Sequence, residues 1–251
     1  MEDLAKKSLL ITGASRGIGR AIALHMAPKT KSIFCCARSQ ENLNGLKIEA
    51  GDNGDKINTI SLDLMQANGA GNLLRWLAEN ETIPDLLLHN LGGSLGYRDP
   101  FSDADKFREV WQYNVGISIE INRFLIPKMI RRGGGLIIHF STLSTKTFQG
   151  NLPYVSAKCA LEGYIKNMSR EIASQGVIMC GIAPGLVNLE GRYFSNLRDE
   201  NPNEFQKYCE AHLPTGKMIE VEEITSFVEL LCAGASDAMV GAIFDLNGGA
   251  K

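Results

Sequence analysis

The sequence predicts an α/β fold: one domain built on a doubly wound parallel sheet with helices on both faces. Three observations carry this. Seven short β-rich runs recur along the chain, and several are almost wholly apolar, as a strand covered on both faces requires. Segments with apolar residues at three- and four-residue steps separate the runs. Strand alternating with helix is the pattern of a parallel sheet wrapped by helices.

The elements follow in order. Leu9–Thr12 is the first strand and runs through a glycine loop into a helix over Ile18–Ala27. Ile33–Ala37 and Ile57–Leu62 are the second and third strands, followed by a helix over Ala67–Ala78. Leu86–His89 precedes a long helical pattern, Asp105–Arg131; Leu136–Phe140 precedes a helix over Tyr154–Ser174. Val177–Ile182, a helix over Val221–Cys232 and a last strand over Val240–Asp245 complete the series. Between them Asn188–Met218 is polar and turn-rich, without a place in the sheet; loops of that length in a compact domain are lids or insertions.

Composition narrows the function. A chain of 251 residues buries roughly 70–75% of its unfolded surface, so its core needs no disulfide or metal staple. Lys+Arg 26 against Asp+Glu 28 gives a net charge of -2, which argues against a nucleic-acid binder. Cys35, Cys36, Cys159, Cys180, Cys209 and Cys232 show no CxxC and no histidine at zinc spacing, so they read as buried, reduced thiols and no metal is expected. No apolar run reaches the ~18 residues of a membrane span or resembles a signal segment. A soluble cytoplasmic protein is expected, with a small-molecule substrate.

Chemistry enters at the first strand–helix junction, Thr12-Gly13-Ala14-Ser15-Arg16-Gly17-Ile18-Gly19. Gly13 allows a tight turn, Gly17 lets backbone approach a pyrophosphate, and Gly19 lets the helix pack close to the strand. The phosphates then lie on amides at the helix start. At the end of the second strand an acid would mark NAD through the ribose 2′-hydroxyl. Here stand Arg38 and Ser39. A guanidinium clamps a 2′-phosphate, and Arg16 approaches it from the glycine loop, so NADP (NADPH) is expected rather than NAD.

Tyr154 and Lys158 are four apart at the start of a predicted helix, hence on one face. A nearby ammonium stabilises phenolate, which makes Tyr154 a general acid or base for a carbonyl or alcohol. Ser141 ends the fifth strand thirteen residues before Tyr154 and is placed to hold the substrate oxygen. Asn114, inside the long helical pattern, is either a satisfied core amide or a hinge that holds water.

Together these residues resemble the short-chain dehydrogenase/reductase family, in the branch of about 250 residues. Thr12-Gly13, Gly17, Ile18 and Gly19 match its TGxxxGxG; Asp63 falls at its adenine-contacting Asp, with Leu64 beside it; His89-Asn90-Leu91-Gly92 resembles NNAG. Asn114, Ser141, Tyr154 and Lys158 match the catalytic tetrad, and Pro184-Gly185 the turn near the nicotinamide, followed by Val187. The resemblance spans nearly the whole chain, in order. It implies a Rossmann-type sheet of strand order 3-2-1-4-5-6-7, a homotetramer or homodimer, Lys158 on the nicotinamide ribose, and Asn114 supporting a proton relay through water. Two departures stand out. His89 replaces the first Asn of NNAG, and Leu189 replaces the family's Thr that helps bind the nicotinamide amide, leaving Asn188 or backbone to substitute.

Substrate choice falls to three loops carrying Ser94, Tyr97, Arg98, Gln149, Asn151, Glu190 and Arg192, polar content that suggests a sugar-derived or carrier-linked 3-oxoacyl substrate. Segment 188–218, with Tyr193, Phe194, Leu197 and Phe205, is either a helical lid or a fixed subunit contact. Two functions follow: an NADP(H)-dependent carbonyl reductase (or the reverse alcohol dehydrogenase), or a catalytically idle NADP-binding sensor or scaffold.

Overall fold

All five side chains of strand β1 (Ser8–Thr12) are buried, which requires helices over both faces of the sheet. The computed structural model describes residues 3–191 and 193–250, with the backbone alone at 193. Beside β1 lie β2 (Ser32–Ala37), β3 (Ile57–Ser61), β4 (Leu86–His89), β5 (Gly135–Phe140) and β6 (Val177–Pro184). A two-residue parallel ladder of β7 (Val187–Asn188) and β8 (Ile219–Glu220) stands apart, and β9 (Ile243–Leu246) closes the main sheet. That seven-stranded sheet has the order β3-β2-β1-β4-β5-β6-β9 and is parallel throughout, as the sequence predicts. Strand order reverses direction between β1 and β4, so a crevice opens beyond the carboxyl ends of those strands.

Alternation of side chains along each strand feeds two cores. Leu9, Ile11, Ile33, Cys35, Leu86 and Leu88 pack with Ile22, Leu43, Ile224 and Val228 on one face. Their neighbours Leu10, Phe34, Cys36 and Leu87 pack with Leu73, Val110, Ile121, Leu161 and Ile165 on the other. The helices of the first face are α1 (Gly17–Met26) and α2 (Gln40–Glu49), joined later by α10 (Val221–Ala233). Those of the second are α3 (Gly69–Glu79), α4 (Ala104–Trp111), α5 (Ile117–Arg132) and α7 (Leu152–Ile172), with the short α6 (Ser144–Thr147) leading into α7.

Three differences from the expected elements stand out. Helix α2 is absent from the sequence pattern because only Leu43 and Leu46 of it are buried; Ser39 starts it by accepting from the Asn42 amide. The expected helix over Asp105–Arg131 is divided by a π-turn, Gln112–Gly116. The last strand begins at Ile243 rather than Val240, after a 3₁₀ turn at Asp237–Met239. Segment 188–218 contains α8 (Tyr193–Glu200) and α9 (Pro202–His212). The second starts at Asn201, whose side chain accepts from the Glu204 amide, with Pro202 behind it. Among the described residues, no helix is long and apolar enough to cross a membrane, and no cluster of potential ligands would hold a metal ion.

Candidate active site

A cleft of about 880 Å³ lies at the carboxyl ends of β1, β2, β4, β5 and β6. Of the residues expected to hold a dinucleotide, Gly13, Ser15, Arg16, Ile18, Arg38, Ser39, Asp63, Leu64, Asn90, Gly92, Pro184, Gly185 and Val187 line it. Gly17 lines an adjoining cleft instead, and Gly19 is buried behind the loop. Gly17 opens α1 at a φ of +59°, the left-handed region that a side chain strains. A Cβ at Gly19 would lie 2.5 Å from Nδ2 of Asn90 and 2.6 Å from the carbonyl of Gly13. Asn90 needs that space: its Nδ2 donates to the Gly13 carbonyl at 2.9 Å and ties the β4 loop to the glycine loop.

The cradle fits a dinucleotide. Arg16, the N-cap residue of α1, makes no side-chain cap bond, so no side chain of the cap takes up the first-turn amides. Arg16 and Arg38 are both exposed, and neither is ion-paired among the described residues. One cation in the glycine loop and one at a strand end that lacks an acid suit a phosphate on the ribose.

At the other end of the cleft, α7 presents Tyr154 and Lys158 from one face, and the Lys158 ammonium lies 5.8 Å from the Tyr154 ring centroid. Pro153, in the first turn of α7, takes a position whose amide needs no helical partner. Lys158 is 4% exposed and donates to the Phe140 carbonyl at 2.6 Å. Burial pulls its pKa down to about 8, opposed by Glu162. Burial likewise pushes the Tyr154 phenol above its usual value, opposed by the Thr142 hydroxyl. The lowering of the phenol by Lys158 that the sequence predicts is not among the causes of this shift, which burial dominates.

Asn114 does not line the cleft. It stands behind it, in the π-turn, as a satisfied amide. Nδ2 donates to the carbonyls of Gly93 and Val110, both at 2.8 Å, and Oδ1 accepts from the Gly93 amide at 3.0 Å. A Cβ at Gly92 would come within 2.7 Å of that Oδ1, so glycine is required there. Ser141 lines the cleft, but its hydroxyl donates to Glu162 Oε1 at 2.6 Å. Thr142 and Glu162 escape the sequence reading. Two adjacent hydroxyls at a strand end would have flagged the first; no sequence signal marks the second.

His89 is structural. Its ring stacks on His139 at 4.5 Å, and its Nε2 meets Asn122 Oδ1 at 2.8 Å. Asn188 is held by Glu220 and Arg198 and does not line the cleft, whereas Leu189 does. Ser94 lines the cleft, whereas Arg98, Gln149 and Asn151 are absent from its wall and Glu190 lines the adjoining one. The Tyr97 phenol donates to Glu109 at 2.6 Å. Arg192 and the Tyr193 side chain lie outside the described residues.

Residues 7–199 match the profile of the short chain dehydrogenase family. The chain belongs to that family. Short-chain dehydrogenases are oxidoreductases acting on alcohol and carbonyl groups, and this chain is one of them. It is 26% identical over 248 residues to a 3-oxoacyl-[acyl-carrier-protein] reductase of Vibrio cholerae, covering 98% of each chain. Over 190 residues it is 28% identical to an NADPH-dependent pterin aldehyde reductase of Arabidopsis thaliana, covering 74% of this chain and 77% of the other. Its fold superposes on an L-sorbose reductase from Gluconobacter frateurii, solved with NADPH and L-sorbose, at a TM-score of 0.89. That match is 24% identical and covers 99% of this chain and 98% of the other.

Proposed function

We propose that this short-chain dehydrogenase reduces a carbonyl with NADPH, Tyr154 serving as general acid. One observation carries the reading: Tyr154 and Lys158 face into the same cleft whose far end holds Arg16 and Arg38. NADPH-dependent relatives support the cofactor. Bound in the cleft, the reduced nicotinamide supplies the hydride that adds to the carbonyl carbon. Tyr154 gives its phenolic proton to the carbonyl oxygen as the C=O π pair becomes the O–H bond. Lys158, as ammonium, stabilises the phenolate left behind and holds the nicotinamide ribose. Asn114 holds the Gly92-Gly93 backbone at the cleft wall, which places that loop against Lys158.

Apart from its charged residues, the cleft lining includes Leu91, Leu95, Tyr113, Leu186, Leu189 and Phe194 together with the small hydroxyls Ser94, Ser141 and Thr142. Its charged residues, Arg16, Arg38, Asp63 and Lys158, belong to the cofactor and catalytic parts. This wall suits a carbonyl on an acyl chain or another largely apolar body better than a sugar. The test is a panel of 3-oxoacyl thioesters, alicyclic and aromatic ketones and aldehydes, and keto sugars, with NADPH consumption followed by its near-ultraviolet absorbance. Turnover concentrated among apolar carbonyls is expected. NADPH binding without turnover of any of them would leave a binding protein instead of an enzyme.

A further inference from the structure

The residue that precedes Tyr154 by thirteen positions is the one the family pattern selects as the catalytic hydroxyl, yet in this chain that proton is already committed. Ser141 is 4% exposed, and its Oγ donates to Oε1 of Glu162 at 2.6 Å. Glu162 is itself nine-tenths buried, and the same oxygen accepts from Thr145 Oγ1 at 2.8 Å. A serine hydroxyl has one proton. Hydrogen bonds to a carboxylate are short and about twice as strong as neutral ones. Turning Ser141 toward a substrate would leave a buried carboxylate oxygen with Thr145 alone, a change the interior opposes.

The next residue is placed differently. Thr142 lines the same cleft as Tyr154, and its hydroxyl acts to lower the pKa of the phenol. It donates to the Ser144 hydroxyl and accepts from the Ser144 amide, both at 3.3 Å, long for such groups and easily given up, unlike the 2.6 Å bond of Ser141 to a buried carboxylate. We infer that Thr142, not Ser141, is the hydroxyl that works with Tyr154, and that Glu162 is a positioning residue that turns Ser141 away. In the reaction the Thr142 hydroxyl turns its one proton from Ser144 to the phenol oxygen and keeps it there when the phenolic proton has gone to the substrate. Ser141, Thr145 and Glu162 brace the start of the 143–152 loop from below. This inference rests on the proposed role of Tyr154.

Four variants test it: Thr142→Val, Thr142→Ser, Ser141→Ala and Tyr154→Phe. In protein without cofactor, the phenol is titrated by NMR of ring-labelled tyrosine, its signal assigned by its loss in Tyr154→Phe. Thr142→Val should move that titration upward, Thr142→Ser should restore it, and Ser141→Ala should leave it in place. On a substrate found in the panel, Thr142→Val should lose ~10²-fold in kcat, the scale of one oxyanion-type donor. Ser141→Ala should lose less than about tenfold and show its effect in a lowered Tm instead. Should valine not fold at this position, Thr142→Ala serves with the same expectations. An unmoved titration with full turnover in the Thr142 variants, or a loss in Ser141→Ala equal to that in Tyr154→Phe, would overturn the assignment. Full activity in Tyr154→Phe would instead sink the parent reading, while the titration still decides whether Thr142 bonds the phenol.

Discussion

Arg38 follows β2 where an acidic residue would accept from a ribose hydroxyl, and it lines the cleft without an ion-pair partner among the described residues. A guanidinium favours a phosphate there and an acid repels one. NADPH should therefore bind at least tenfold tighter than NADH, a difference of about 1.4 kcal/mol. Arg38→Asp should reverse the order, and equal affinities in the unmodified protein would refute the assignment. Such residues are legible in sequence because local spacing decides them: Arg38 ends a strand, and Tyr154 and Lys158 are one helical turn apart. The choice between Ser141 and Thr142 is not legible in that way. Two neighbouring hydroxyls differ only in direction, and what directs Ser141 is Glu162, on another element.

At the scale of elements, continuous apolar runs bounded by turns reveal the strands, because both faces of the sheet are covered. The π-turn at Gln112–Gly116 stays hidden, since its apolar pattern reads as unbroken helix. Its cause is tertiary: the Asn114 amide takes up the Val110 carbonyl and the Gly93 backbone. Beside it, His89 on β4 and His139 on β5 are register partners, buried with Asn122 between them. Burial lowers the His89 pKa to about 4, and lowers that of His139 as well, helped by His89 and Lys158. The unfolded chain, with histidine near 6.5, then binds more protons than the folded one between these values. Stability is full above pH 6.5 and is lost as pH falls toward 4. From pH 7 to 5, His89 alone should remove about 2 kcal/mol. Urea midpoints at the two pH values measure this, and His89→Asn should flatten the acid limb. An acid limb equally steep in His89→Asn would place the loss elsewhere.

At the scale of the molecule, the parallel sheet and its crevice are determined by strand order, which the alternation of elements already implies. Segment 188–218 is harder to read, because its own pattern is polar and its core small. Cys209, Leu213 and Met218 pack with Leu186, Phe194 and Phe205, and Phe194 also lines the cleft. The ends of the segment meet in the β7–β8 ladder, where the Ile219 amide donates to the Leu186 carbonyl at 2.9 Å. An element closed at its base and packed on itself can move as one body over the cleft. Amides of α8 and α9 should exchange quickly in the free protein and slow when NADP(H) and substrate bind, with the ladder protected throughout. Equal protection with and without ligands would make the segment a fixed wall. Carbonyl reduction by this chain depends on one proton, that of Tyr154. Replacing Tyr154 with Phe and measuring NADPH affinity and turnover side by side tests it most directly: affinity should hold while turnover falls by ~10²-fold or more, and a variant that kept most of its turnover would contradict the account.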